Sequence, residues 1–276
     1  MRYELVSKPR GQRVYRLSAS LAKAMALKEE VTIKSSEEKA FLSSLNNKIK
    51  ESELLKGEEI FNSLNKERLE LEQGSEEWKE LRLGLITASS TPFTKDGTSI
   101  RDINPYIAQK ATELVYKTAP EPIKEEIYRT DLAEKYNFLM ERGNILESVA
   151  IESYLEDNNL KLISNPIYKL VDLPLMASLD CEYVTESGEM GILEVKSPSL
   201  RRWFEYKLEP QKLVDTYYIQ LQTQMLASGY TTSTIIAYYP TMGYIAQDVE
   251  IDYSFVKNAI ETTELFKQKI EELGLF

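Results

Sequence analysis

The stretch Asp180-Cys181-Glu182-Tyr183-Val184-Thr185-Glu186-Ser187-Gly188-Glu189-Met190-Gly191-Ile192-Leu193-Glu194-Val195-Lys196 decides the fold. Thr185-Glu186-Ser187-Gly188 is turn chemistry, and apolar runs flank the segment, Leu175 to Leu179 behind Pro174 and Gly191-Ile192-Leu193 leading into Glu194. It therefore reads as a β-hairpin with Leu175–Asp180 on one strand and Gly191–Lys196 on the other. If the hairpin folds symmetrically about Ser187, Asp180 stands opposite Glu194. Side chains alternate along a strand, so Glu194 and Lys196 share a face that Val195 does not. Two carboxylates and an ammonium then converge on one small volume.

Oxygen donors of this kind suit Mg²⁺ or Mn²⁺, hard cations often held by a few carboxylates together with substrate phosphate. A lysine beside them can orient an attacking water or help deprotonate it. Glu-x-Lys alone is unselective, because Glu37-Glu38-Lys39, Glu77-Trp78-Lys79 and Glu205-Tyr206-Lys207 match it too. Those three lie in charged segments that look helical or run into polar residues, where a solvated face explains them. Only Glu194 and Lys196 close an apolar strand, which Pro198 stops. For this pair taken alone, an edge-strand ion pair and a metal site both stay open.

The 276 residues are 42% hydrophobic, enough for one large domain or a domain with an appendage. No run of eighteen apolar residues and no signal-peptide pattern occurs, so the expectation is a soluble, cytoplasmic protein without a membrane partner. Cys181 is the only cysteine and histidine is absent, which excludes disulfide frameworks within one chain, His-based triads and ordinary zinc hydrolase sites. Carboxylate, lysine and metal chemistry remain. The net charge of −10 argues at first against a nucleic-acid partner. It is compatible with one where bound ions and a local basic channel carry the positive charge.

Residues 1–74 differ from the rest and are expected to form an amino-terminal extension. Tyr3 to Arg16 is strand-like and basic through Lys8, Arg10, Arg13 and Arg16, a small helix follows around Leu21 to Lys28, and Ser36 to Leu71 reads as helical with Gly57 as a possible break. The basic arm is either a solvated surface or a contact to DNA. Gln73-Gly74-Ser75 marks the boundary, and Ser75 caps a helix reaching about Leu83. Further helices are expected near Pro105–Lys117, Asp131–Asn158 with an interruption near Gly143, Gln211–Ser228 and Tyr253–Leu273, with strands at Ile86–Ser89, Ile167–Val171 and Thr234–Tyr239. Strands flanked by helices make an α/β sandwich.

Three further segments surround the hairpin. Arg142-Gly143 with Glu147 sits late in a helix, where a glycine costs about 1 kcal/mol against alanine, and Glu147 is either another carboxylate for the metal or a surface residue. Arg82 precedes the Thr87-Ala88-Ser89 cluster and Pro92, an arrangement that can start a helix and bind phosphate at its amino terminus, or can be an ordinary capped helix. Gln220 and Gln224 lie one turn apart on a tyrosine-rich helix and could contact DNA backbone or outer waters, although packing alone accounts for the tyrosines.

In this order, Trp78 with Leu81-Arg82-Leu83-Gly84-Leu85-Ile86-Thr87-Ala88-Ser89, Arg142-Gly143 with Glu147, Ser178-Leu179-Asp180, Leu193-Glu194-Val195-Lys196 and Gln220-Leu221-Gln222 resemble the lambda exonuclease or YqaJ-type viral recombinase family of the PD-(D/E)xK nuclease superfamily. The resemblance covers about residues 75–250 and makes residues 75–276 a PD-(D/E)xK exonuclease domain. It implies a restriction-endonuclease-like α/β core, a central mixed β-sheet flanked by helices, with a helical amino-terminal extension. It also implies Mg²⁺, or Mn²⁺ in its place, held by Asp180 and Glu194 with the carbonyl of Val195 assisting and Glu147 as a further ligand or second-metal partner, and Lys196 positioning the water. Arg82 and Ser89 would hold a 5′-phosphate, and Gln220 would match the glutamine beside the active site. Family members digest linear duplex DNA from 5′ ends for a single-strand annealing partner, some as ring-shaped trimers, which implies a phage or prophage protein acting in a bacterial cytoplasm. Cys181 and Ser148 depart from the glycine and proline common at those places, and the thiol is expected to be able to tune metal preference. A restriction- or repair-type endonuclease and a non-catalytic DNA-binding recombination scaffold are the alternatives.

Overall fold

The computed structural model describes residues 2–120, 124 and 138–275. It divides into two compact units between Ile60 and Phe61.

In the first unit β1 (Tyr3–Ser7), β2 (Gln12–Leu17) and β3 (Glu30–Lys34) form an antiparallel sheet in that order. The basic arm is thus a hairpin, turning at Gly11, rather than a single strand. Ser18 caps the short helix α1 (Ala19–Ala24), its Oγ accepting the Leu21 N–H at 3.4 Å. Tyr15 and Leu17 alternate onto one face of β2 and bury against Leu21, Ala22 and Leu45. Two of the four arm cations are ion-paired, Arg13 to Glu38 at 3.1 Å and Arg16 to Glu4 at 3.0 Å. Helix α2 (Glu38–Ser63) runs through Gly57 without a break.

The second unit continues with β4 (Lys66–Leu69), α3 (Glu76–Arg82), β5 (Ile86–Thr87), α4 (Asn104–Thr118), α5 (Phe138–Asp157), β6 (Lys161–Ser164), β7 (Ile167–Leu170), β8 (Leu175–Ser178), β9 (Cys181–Val184), β10 (Met190–Lys196), α6 (Leu200–Leu208), α7 (Gln211–Ser228), β11 (Thr232–Tyr239), β12 (Gly243–Glu250) and α8 (Tyr253–Glu272). One sheet has the order β12-β11-β10-β9-β6 and the other β4-β7-β8-β5. The first is mixed, because β10 and β11 run parallel across the α6–α7 crossover while the remaining pairs are antiparallel. Helix α7 packs on β8, β11 and β12, and α5 packs on β10 and β12. Beneath α5, Ala150, Ile151 and Tyr154 bury against Cys181, Leu193, Val195 and Ile236.

Several expectations change. Lys66–Leu69 is not helical but a strand that pairs with β7, so residues 61–74 belong with the second unit and the division falls earlier than the Gln73-Gly74-Ser75 turn. The apolar run Leu175–Ser178 is not an arm of the hairpin. It lies in the four-stranded sheet, and the chain passes into the five-stranded one through Leu179-Asp180. No helix begins at Ser89–Pro92; the chain there makes turns and the isolated bridges Thr87↔Ser90 and Phe93↔Ser99 until α4 starts. Helix α5 is continuous through Gly143, whereas the expected helical stretch 131–137 lies outside the described residues.

Candidate active site

Strands β9 and β10 pair Val184 with Met190, Tyr183 with Gly191, Glu182 with Ile192 and Cys181 with Leu193. Continued by one step, this register sets Asp180 against Glu194, the symmetric fold about Ser187. The ladder stops there because the Asp180 side chain replaces the backbone: its Oδ2 accepts the Val195 N–H at 2.8 Å. Strand β10 lies between β9 and β11, so Glu194 is not on an edge. It is 1% exposed. A carboxylate so placed requires donors, and among the described residues it has three: Lys196 Nζ and Gln220 Nε2 (2.6 Å) on Oε1, and Gln224 Nε2 (2.5 Å) on Oε2. Alternation thus sends Glu194 toward the amides of α7 and Val195 into the core under α5.

Gln224 also donates to the Ser178 carbonyl at 3.3 Å, and Trp78 Nε1 donates to the Ser178 hydroxyl at 2.9 Å. Trp78 stands on α3, whose first turn Ser75 caps at 3.2 Å, and one helical turn later the Arg82 guanidinium lies 4.0 Å from its ring centroid. An Arg82 Nη2–H reaches Ser89 Oγ at 3.4 Å. Trp78, Arg82, Ser89 and Ser178 help to wall one open cleft of about 460 Å³. Eight of the residues singled out in the sequence line it, Arg82, Ser89, Glu147, Asp180, Glu194, Val195, Lys196 and Gln220, whereas Gln224 lies behind Glu194 and does not. Trp78, Thr87, Ser178 and Tyr217 line it as well. Of these, Thr87 has a buried hydroxyl with no hydrogen-bond partner among the described residues.

Residues 77–231 match the YqaJ-like viral recombinase domain, more than half of the chain. The chain belongs to that family. Among solved structures it is similar to LHK-Exo in complex with dAMP, at 23% identity over 72% of this chain and 93% of that one, with a TM-score of 0.57. A second match is the alkaline exonuclease LHK-Exo from Laribacter hongkongensis, at 21% identity over the same shares, with a TM-score of 0.54. At these identities the likeness concerns the fold, a restriction-endonuclease-like α/β core. No curated protein sequence matches significantly.

In this recombinase-domain cleft the charges are frustrated. Desolvation holds the Asp180 carboxyl well above its ordinary range, and repulsion from Glu194 and Glu147 adds to it, against partial relief from Lys196 and the Val195 N–H. Glu147, on α5, is raised by the same two causes, desolvation first and Glu194 second. Burial works against the Lys196 ammonium, yet Glu194 and Asp180 overcome it and hold its pKa above the usual lysine range. Its Nζ also lies 5.0 Å from the Tyr217 ring centroid. The Cys181 thiol faces the apolar core under α5, where burial pushes its pKa up to about 12. It is therefore a packing residue rather than one that tunes a metal.

Every acidic donor at the cleft is an oxygen donor, as a hard divalent cation requires. Among the described residues no three His, Cys, Asp or Glu side chains gather closely enough to form a cage on their own. The geometry gives a reason: both Glu194 oxygens are bound to Lys196 and the two glutamines, and one Asp180 oxygen is taken by Val195. No described helix is long and apolar enough to cross a membrane.

Proposed function

We propose that this chain is a Mg²⁺-dependent deoxyribonuclease, with Mn²⁺ as a substitute, that hydrolyses phosphodiester bonds of linear duplex DNA from 5′ ends, the unit Phe61–Phe276 carrying its catalytic site. The single observation behind it is that Glu147, Asp180, Glu194 and Lys196 face one cleft with Arg82 and Ser89. Asp180, Glu194, Glu147 and the Val195 carbonyl would hold the cation. Bound there, a divalent cation supplies an activated water and offsets the negative charge that develops on the phosphate oxygens. Lys196, kept protonated by its carboxylate neighbours, orients that water by donating to it. Gln220 and Gln224 fix the rotamer of Glu194 and keep it at the cleft, where a bound cation would have to share its oxygens with these donors and Lys196. Arg82, braced on Trp78, offers a guanidinium fork to a terminal phosphate, with the Ser89 hydroxyl beside it.

The chemistry leaves 3′ single strands, the form a single-strand annealing partner takes up, in the cytoplasm of a bacterium carrying the phage or prophage. A ring of three copies enclosing duplex would make digestion processive. The alternative of internal cutting is separated by substrate topology. Linear duplexes with 5′-phosphate or 5′-hydroxyl ends, labelled at either terminus, are incubated with Mg²⁺ beside closed circular duplex. The expected result is mononucleotide release from 5′-phosphorylated ends and an intact circle. Cleavage of the circle makes the protein an endonuclease, and no cleavage of any substrate makes it a scaffold.

A further inference from the structure

Helix α6 begins immediately after Lys196, Ser197 and Pro198, all of which line the cleft. Ser199 caps it, its Oγ accepting the Arg202 N–H at 3.4 Å. One side is anchored, with Trp203 and Tyr206 buried and Trp203 Nε1 donating to the Gly243 carbonyl at 3.2 Å. The other side is unusual. Leu200, Phe204 and Leu208, spaced by four residues on one face, are 39, 45 and 81% exposed. Arg201 and Lys207 flank this stripe on either side, and across residues 200–212 the four cations Arg201, Arg202, Lys207 and Lys212 exceed Glu205 and Glu209 by two charges, on a chain of net −10. Glu205 gathers Arg201, Arg202 and Lys212 at 3.3, 3.1 and 3.4 Å.

We infer that this face of α6 is a platform for single-stranded DNA, with a base stacked on Phe204 and phosphates on Arg201 and its neighbouring cations, guiding one strand past the mouth of the cleft. An exposed ring flanked by cations suits a polyanion whose bases are unpaired, and the stacking is tolerant of sequence. A second copy of the chain fits poorly. Nine helical residues rise only about 13 Å, three side chains fall well short of the ~800 Å² per partner of a stable interface, and a two-fold contact centred on Phe204 would set Arg201 against a cation of the other copy, since position 201 then meets position 207.

The inference rests on the nuclease reading, so its test is kept apart from catalysis. Wild type, Phe204→Ala and Arg201→Glu are titrated against fluorescein-labelled dT20 and a blunt 20-base-pair duplex in EDTA, following anisotropy. Turnover of the p-nitrophenyl ester of thymidine 5′-phosphate with Mn²⁺ is measured in parallel. Phe204→Ala is expected to weaken dT20 about tenfold, and Arg201→Glu to weaken it similarly while lowering the salt slope by about one. Duplex affinity and ester turnover should stay at wild-type levels in both. Unchanged dT20 binding in both variants overturns the platform, as does a fall in oligomer mass by light scattering, which would make the face a self-interface. If wild type binds dT20 through this face yet hydrolyses neither ester nor DNA, the platform stands and the nuclease reading fails.

Discussion

Asp180 and Glu182 stand two residues apart where the chain enters β9, and the protein treats their charges in opposite ways. Glu182 is fully buried and fully answered, accepting from Arg68 Nη2 at 2.8 Å, the Tyr168 hydroxyl at 2.7 Å and the Tyr230 hydroxyl at 2.6 Å. Burial opposes its charge, but the bonds from Tyr230, Tyr168 and Arg68 hold its pKa below the ordinary carboxylate value. Asp180 has one backbone N–H and a share of Lys196 against two other carboxylates, and its pKa rises. One carboxylate ties β4, β7 and β9 together; the other keeps a charge that the fold itself does not neutralise. The difference separates a structural ion pair from a site that lacks positive charge.

The comparison breaks first at Glu182. Glu182→Ala leaves two tyrosine hydroxyls without their acceptor and Arg68 with only Glu70 and Ser164, and should cost about 3 kcal/mol in urea unfolding, the low end for a broken buried pair because Arg68 is one-third exposed. Wild-type stability in that variant would remove the contrast. Asp180→Asn should act the other way. Because the folded pKa of Asp180 is raised, its favourable contribution is present below the unfolded carboxyl value and lost as pH rises through the folded one. The asparagine avoids that loss while it can still accept from Val195, so without divalent metal the variant should melt above wild type at pH 8, by an amount that shrinks as pH falls. Mg²⁺ at a hundred times its Kd should stabilise wild type by about 2.7 kcal/mol and leave Asp180→Asn where it was. Next in size, Gln224→Leu deprives Glu194 Oε2 and the Ser178 carbonyl of their donor and should lower metal affinity or cleavage about 10- to 100-fold. Smallest, Trp78→Phe keeps an aromatic ring under Arg82 but drops the bond to Ser178, costing about 1 kcal/mol of stability with 5′-phosphate preference retained.

What the sequence disclosed follows from how local each signal is. Turn chemistry at Thr185–Gly188 and strict alternation set the β9–β10 register and predicted that Asp180 would face Glu194. Helix α7 was legible to its ends because Pro210 before it and the left-handed Gly229 after it are short-range boundary signals. The two-sheet layout was not, since nothing in Leu175–Leu179 says that the strand changes partners at Asp180. Strands β3 and β12 escaped because polar residues interrupt them, and β6 because it is only four residues long and largely exposed, so none carries the apolar run that marks a buried strand. Gln220 and Gln224 were visible as a pair one turn apart, whereas their shared grip on Glu194 depends on the α7 docking that only the fold supplies. Ser178 and Trp78 stood inside quoted motifs, yet the bond joining them spans 100 residues and has no sequence signature.

The most direct test is a calorimetric titration of Mn²⁺ into the metal-free protein, wild type beside Asp180→Asn and Glu147→Gln. Saturable binding in wild type, lost in the first variant and weakened in the second, is the predicted result. No binding by wild type, or equal binding by all three, would mean that these carboxylates do not meet around a cation.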